Sequence, residues 1–150
     1  MEENEKITKY LNAIYQNIRT AIQSIEDIIP KAESEVLKSE LSTEQDEYNC
    51  LAKECEAFAK AEKIEGLKDN NFIEKARLWT SINMSTMMDN SSRKIAELML
   101  FGTFMGIVAC VKDKGDHKNV SKELDELIEK LLHFERKNID KLLPYLEETP

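Results

Sequence analysis

The stretch Ile95–Val111, IAELMLFGTFMGIVACV, carries only Glu97 and Thr103 as polar residues. A helix that is apolar on every side has no face to give to water, so other elements must surround it. The remaining long segments are amphipathic on one side only, which is what such a wrapping requires. This constrains the chain to a compact all-α bundle. It leaves the chemistry open.

A run of seventeen residues stands at the bottom of the range that spans a bilayer, and Glu97 lies near one end. Arg93 and Lys94 precede the run and Lys112 to Asp116 follow it. With amphipathic partners of matching length available, the run reads as a buried core helix, and no membrane is expected.

The first helix places Ile7, Leu11, Ile14, Ile18, Ile22, Ile25 and Ile29 at steps of three and four. Pro30 ends it and suits the first turn of whatever follows. A second helix is expected from about Lys31 to Glu65, with Val36, Leu37, Leu41, Tyr48, Leu51, Cys55 and Phe58 on its stripe. Between Leu41 and Tyr48 the stripe dips into Glu44 and Gln45, and Gly66 is the expected stop. Phe72 to Met88 forms a third segment with Ala76, Trp79, Ile82 and Met87 on one side. Asp89-Asn90-Ser91-Ser92 interrupts it and supplies caps for the apolar run, so the two pieces read as one helix broken near Asp89. A loop at Asp113–His117, containing Gly115, closes that element, and the last helix spans about Asn119 to Leu143. Short loops make consecutive helices antiparallel. The expectation is one domain, residues 1–150, folded as an up-down-up-down four-helix bundle. About 70% helix or more is anticipated, well above an ordinary domain.

Charge is unevenly spread. Residues 1–65 carry 15 acids against 8 bases, and residues 66–150 carry 14 against 13, so nearly all of the net −8 sits in the first half. Such a surface lacks the basic footprint that phosphate backbones need, and nucleic acid is not an expected partner. Cys50, Cys55 and Cys110 form no CxxC pair and fall within helical patterns, where a free cysteine acts as a small apolar residue. The N-terminus MEENEKITKY is acidic and lacks the order of a signal peptide. A reduced, cytoplasmic protein is the natural expectation.

Carboxylate-bridged metal bundles use a Glu from each of two helices and a Glu-x-x-His pair from each of the others. The two histidines here, His117 and His133, follow Lys114 and Lys130 at that spacing, and the first helix supplies no inward carboxylate. Neither a di-iron centre nor any other cofactor is therefore expected. Glu129 and His133 share a helix face but flank the apolar stripe, as solvated pairs commonly do. Glu97 and Glu135 sit within apolar runs, and a buried carboxylate must be paired or neutral; Arg93 and Lys94 are placed to pair with Glu97. No phosphate loop, nucleophile elbow or Cys-His arrangement is present. Gly102 and Gly106 form a small-x-x-x-small pattern that admits a close neighbour, and Met84, Met87, Met88, Met99 and Met105 crowd one region.

The order Met84, Thr86, Asp89, Ser91, Ile95-Ala96-Glu97, Gly102, Met105-Gly106, and then Phe134-Glu135 and Asn138-Ile139, resembles a group of small bacterial proteins in the ferritin-like superfamily. The resemblance covers roughly the last 65 residues. It implies a ferritin-like bundle, brings no established activity, and draws attention to Asp89, Ser91, Glu97 and Glu135. Because the oxidase ligand signature is missing, iron oxidation is not implied. The favoured expectation is a non-enzymatic module that self-associates, as a homo-oligomer, or binds another protein. The alternative is a degenerate metal or small-ligand site between helices, built from Glu97, Glu135, Glu44 and His133.

Overall fold

The computed structural model describes residues 2–67 and 90–149. Of these, 86% are helical and none is in a strand. Helix α1 spans Glu2–Ile28 and runs into a 3-10 turn at Ile29–Lys31, where Pro30 occupies the first turn as its fixed φ favours. Helix α2 spans Glu35–Ala61, α3 spans Ser92–Asp116, and α4 spans Lys122–Leu142 with a closing 3-10 turn at Leu143–Glu147. The expected segment Phe72–Met88 lies outside the described residues.

Serine starts three of the helices. Ser34, Ser91 and Ser121 each accept the backbone N–H three residues on, from Leu37, Lys94 and Leu124, all at 3.2 Å. Each bond satisfies one amide that a helix N-terminus leaves without a partner. Four boundaries differ from those expected: α2 begins at Glu35 instead of about Lys31 and α4 at Lys122 instead of about Asn119, each directly after its serine cap, and two helix ends also move. Helix α2 stops at Ala61, four residues before Glu65, because Lys63 takes the left-handed conformation at φ 56°. The Ile64 N–H then reaches back to the Ala59 carbonyl (2.8 Å) and the Lys63 N–H to that of Lys60 (3.3 Å), a Schellman closure without glycine. At the second of these ends, α3 continues through Gly115 to Asp116, so the loop expected at Asp113–His117 is displaced to residues 117–121.

The core is built mainly from the α1 stripe, Tyr10, Leu11, Ile14, Ile18, Ile25 and Ile28, against Leu37, Leu41 and Tyr48 of α2 and Leu124, Ile128 and Leu131 of α4. Contacts at the two ends fix the directions of the helices. At one end Asn90, just before α3, donates to Glu33, just before α2 (3.1 Å). At the other end Tyr10 stacks on His117 at 4.7 Å and its hydroxyl donates to Asp125 at 2.6 Å. Helices α2 and α3 therefore start at the same end and run in the same direction, while α1 and α4 run oppositely. Among the described helices the order is up, down, down, up. The end of α2 and the start of α3 therefore lie at opposite ends of an assembly about 40 Å long.

Among the described residues, helix α3 is also not wrapped on all sides. Ile95, Ala96, Leu98, Met99, Thr103 and Cys110 face the core, whereas Phe101, Phe104, Met105, Val108 and Val111 are exposed. Among the described residues α3 is the single helix long and apolar enough to cross a membrane, and 39% of its most apolar window is buried.

Candidate functional site

Midway along the bundle, each of the four helices contributes a polar group to one buried layer. Asn17 of α1 donates through Nδ2 to the Gly106 carbonyl (3.1 Å) and to the Cys110 Sγ (3.0 Å) of α3. The Tyr48 hydroxyl of α2 donates to Oε2 of Glu135 on α4 at 3.0 Å, and the Cys110 thiol reaches the other oxygen at 3.8 Å. Phe134 packs edge-on against Tyr48 at 4.8 Å and holds the ring in place. The glycine is what lets the layer close. A Cβ on Gly106 would stand 2.7 Å from Glu135 Oε2 and 3.2 Å from Asn17 Oδ1. What approaches this glycine is thus a pair of polar side chains.

One turn further along α2 and α4 the layer is less well satisfied. Glu44 is 2% exposed and neither of its oxygens has a hydrogen-bond partner. Asn138 is fully buried and lies against the Tyr48 hydroxyl, yet neither its amide nitrogen nor its oxygen makes a hydrogen bond of acceptable geometry. Such orphaned buried groups are rare in folded proteins and carry a desolvation cost.

Burial governs the electrostatics. It pushes the Glu44 carboxyl up to about 8, helped by the nearby Glu40 charge and opposed by Lys141. Burial likewise lifts Glu135 to about 7, against the lowering effect of the bonds from Tyr48 and Cys110. Glu44 is therefore largely protonated in neutral solution and Glu135 about half so, which is how a low-dielectric core tolerates them. The thiols are driven the same way. Burial raises Cys55 to about 12, and burial with the Glu135 charge holds Cys110 well above the usual thiol range. A nucleophilic cysteine needs the reverse, a stabilised thiolate. This layer can hold protons and fix helix register, and it has no activated nucleophile among the described residues.

Of the four carboxylate and histidine positions singled out from sequence, the structure brings Glu135 and Glu44 into this layer and leaves Glu97 and His133 outside it. Glu97 does not form a buried site: it is half-exposed and bound to Lys94 at 3.0 Å, one of the two neutralising neighbours expected. It lies about 13 Å along α3 from Gly106, the position that meets Glu135. His133 is exposed, and the nearby Glu129 is paired with Lys114. Among the described residues no three His, Cys, Asp or Glu side chains gather in a way that would hold a metal ion. Asn17, Tyr48, Cys110 and Asn138 were not legible as site residues. The available signals were an Asn inside the isoleucine stripe of α1 and an Asn three residues after Glu135 on the same face.

The second feature is external. Phe101 is 62% exposed, Phe104 59%, Met105 57%, Val108 42% and Val111 50%. Spaced at three and four, they form a continuous apolar stripe along the outer side of α3, bounded by the charged residues Glu97 and Lys112. No family model, curated protein or solved structure matches the chain.

Proposed function

We propose that this protein is a non-catalytic, cytoplasmic helical-bundle module that works by self-association through the outer face of α3. The observation that carries this reading is the stripe Phe101, Phe104, Met105 and Val108, with Val111 beside it. Phe side chains each have about 150–250 Å² to bury, so the stripe offers roughly 500 Å² of apolar surface. Contiguous exposed patches of that size mark interaction sites on soluble proteins. The buried layer supports the reading from the other side, since raised thiols and protonated carboxyls suit register better than chemistry. Three free cysteines suit a reducing compartment, and the acidic surface disfavours nucleic acid and anionic membranes. A ferritin-like topology is part of the same proposal, supported by the two packed antiparallel pairs, α1 with α2 and α3 with α4.

The test is sedimentation equilibrium of the purified chain over a wide concentration range. Self-association that disappears in Phe104→Asp supports the proposal, and a monomer at every concentration ends it.

A second reading rests on the orphaned polar atoms of Glu44 and Asn138. Buried groups of this kind are where water or a small polar ligand binds between helices. Native mass spectrometry and elemental analysis of untagged protein test it. A stoichiometric guest lost in Glu44→Gln favours this reading, and guest-free protein removes it.

A further inference from the structure

The stripe on α3 has a symmetry of its own. At 100° per residue, positions 97, 101, 104, 105, 108 and 112 fall within an arc of about 100° on one face of the helix. Read outward from the midpoint between Phe104 and Met105, the face runs through aromatic and aliphatic residues to an acid at one end, Glu97, and a base at the other, Lys112. Both end residues are accessible: the Glu97 side chain is 46% exposed and Lys112 is exposed.

We propose that the occupant of this face is a second copy of the chain, packed antiparallel about a two-fold axis that passes between Phe104 and Met105. This rests on the self-association reading above and adds its geometry. In this register Phe104 meets Met105 of the second copy, Phe101 meets Val108, and Glu97 meets Lys112, each pair occurring twice. A two-fold interface is self-complementary by construction, and this face satisfies that condition residue by residue. The parallel alternative sets Lys112 beside Lys112, and Glu97 beside Glu97 with only the 3.0 Å bond from Lys94 of the same helix to offset it, so the charges favour the antiparallel register. Two molecules of net charge −8 repel over most of their surfaces. Between Glu97 and Lys112, α3 carries no charge at all, so here the copies meet without that opposition. A standard interface covers about 800 Å² per partner, so roughly 500 Å² of apolar stripe can be its centre and the neighbouring polar residues its rim.

The test uses charge reversal in the full chain, with dimerisation followed by sedimentation. Glu97→Lys alone sets lysine against lysine twice in the homodimer, and Lys112→Glu alone sets glutamate against glutamate twice. Each is expected to weaken the homodimer about fivefold to tenfold. Mixing the two variants restores both attractive pairs, and a heterodimer at least as tight as the parent dimer is expected. Circular dichroism melts of each variant report whether the fold is intact. If the parent dimerises and Phe104→Asp abolishes this, yet mixing gives no preference for the heterodimer, the face stands and the antiparallel register is wrong. If the parent is monomeric throughout, the self-association reading fails and this geometry with it. A monomer in which Phe104→Asp moves Trp79 emission to the red identifies the chain's own residues as the occupant and also overturns the proposal.

Discussion

Glu44 and Glu135 bind their protons more tightly in the folded chain than an ordinary glutamate does, and the sign of that difference has a measurable effect. Both folded values, about 8 and about 7, lie above the unfolded value of 4.5. Between pH 4.5 and 8 the native state therefore holds more protons than the unfolded state, and stability falls as pH rises through that window. At about 1.4 kcal/mol per pKa unit, each group alone is worth a few kcal/mol. Thermal melts should run higher at pH 5.5 than at pH 8.5. Glu44→Gln should flatten much of that dependence by stabilising the protein at pH 8.5 while leaving it nearly unchanged at pH 5. A variant with the parent's slope would remove Glu44 as the source. At Gly106 the determining atom is Glu135 Oε2, 2.7 Å from where a Cβ would stand. Overpacking costs about 1–3 kcal/mol, and replacing a helical glycine returns at most about 1. Gly106→Leu should therefore melt below the parent, with Gly106→Ala between them; a Leu variant at or above the parent would rule out a close approach there. Much of this layer was legible in the sequence: Glu135 as a carboxylate in an apolar run, Glu44 as a polar dip in a stripe, Gly106 as a small residue at helix spacing. Asn17 and Asn138 were not, because an amide beside isoleucines has no periodicity of its own. Only the third dimension pairs Asn17 with a backbone 89 positions away.

For the helices themselves, stripes and caps settle most of what forms. The apolar stripe of α1 and the cap run ending in Ser91 place α1 and the start of α3 close to where they lie, whereas Ser34 and Ser121, which start α2 and α4, stand three or two residues beyond the expected starts. A weak breaker does not by itself set a boundary. Gly115 lowers helix propensity by only about 1 kcal/mol, and α3 passes through it to be capped beyond Asp116. At the end of α2, Lys63 adopts a conformation that glycine takes without penalty. Lys63→Gly should therefore stabilise the protein by up to about 1 kcal/mol in urea titration, with unchanged m-value. A loss of stability would mean that unfolded-state entropy outweighs the relief of strain. The outer face of α3 was the larger surprise. An all-apolar sequence reads as enclosed, but no periodicity within one helix reveals how many neighbours it has.

For the molecule as a whole, short loops predict alternation, and the antiparallel pairs α1 with α2 and α3 with α4 follow it; the expected segment Phe72–Met88, between the two pairs, lies outside the described residues. Net charge enters at this scale too. Two copies at −8 repel across a Debye length of about 30 Å at 0.01 M salt and about 8 Å at 0.15 M. Self-association should therefore tighten as salt rises between those values; a dimer that loosens would mean that the Glu97–Lys112 pairs outweigh the overall repulsion. The order of the helices also says something about how the fold is reached. Helices α1 with α2, and α3 with α4, are hairpins whose partners are neighbours in sequence, whereas the bonds of the polar layer, Asn17 to Gly106 and Tyr48 to Glu135, join residues 89 and 87 apart. Closing those long loops comes after the local pairings. The polar layer should then be a late acquisition, open to solvent at the transition state and sealed as the two hairpins dock. Removing its central bond with Tyr48→Phe leaves a buried acceptor unmet, at a cost of about 1–3 kcal/mol. In stopped-flow chevrons nearly all of that loss should appear as faster unfolding, with the folding limb unmoved.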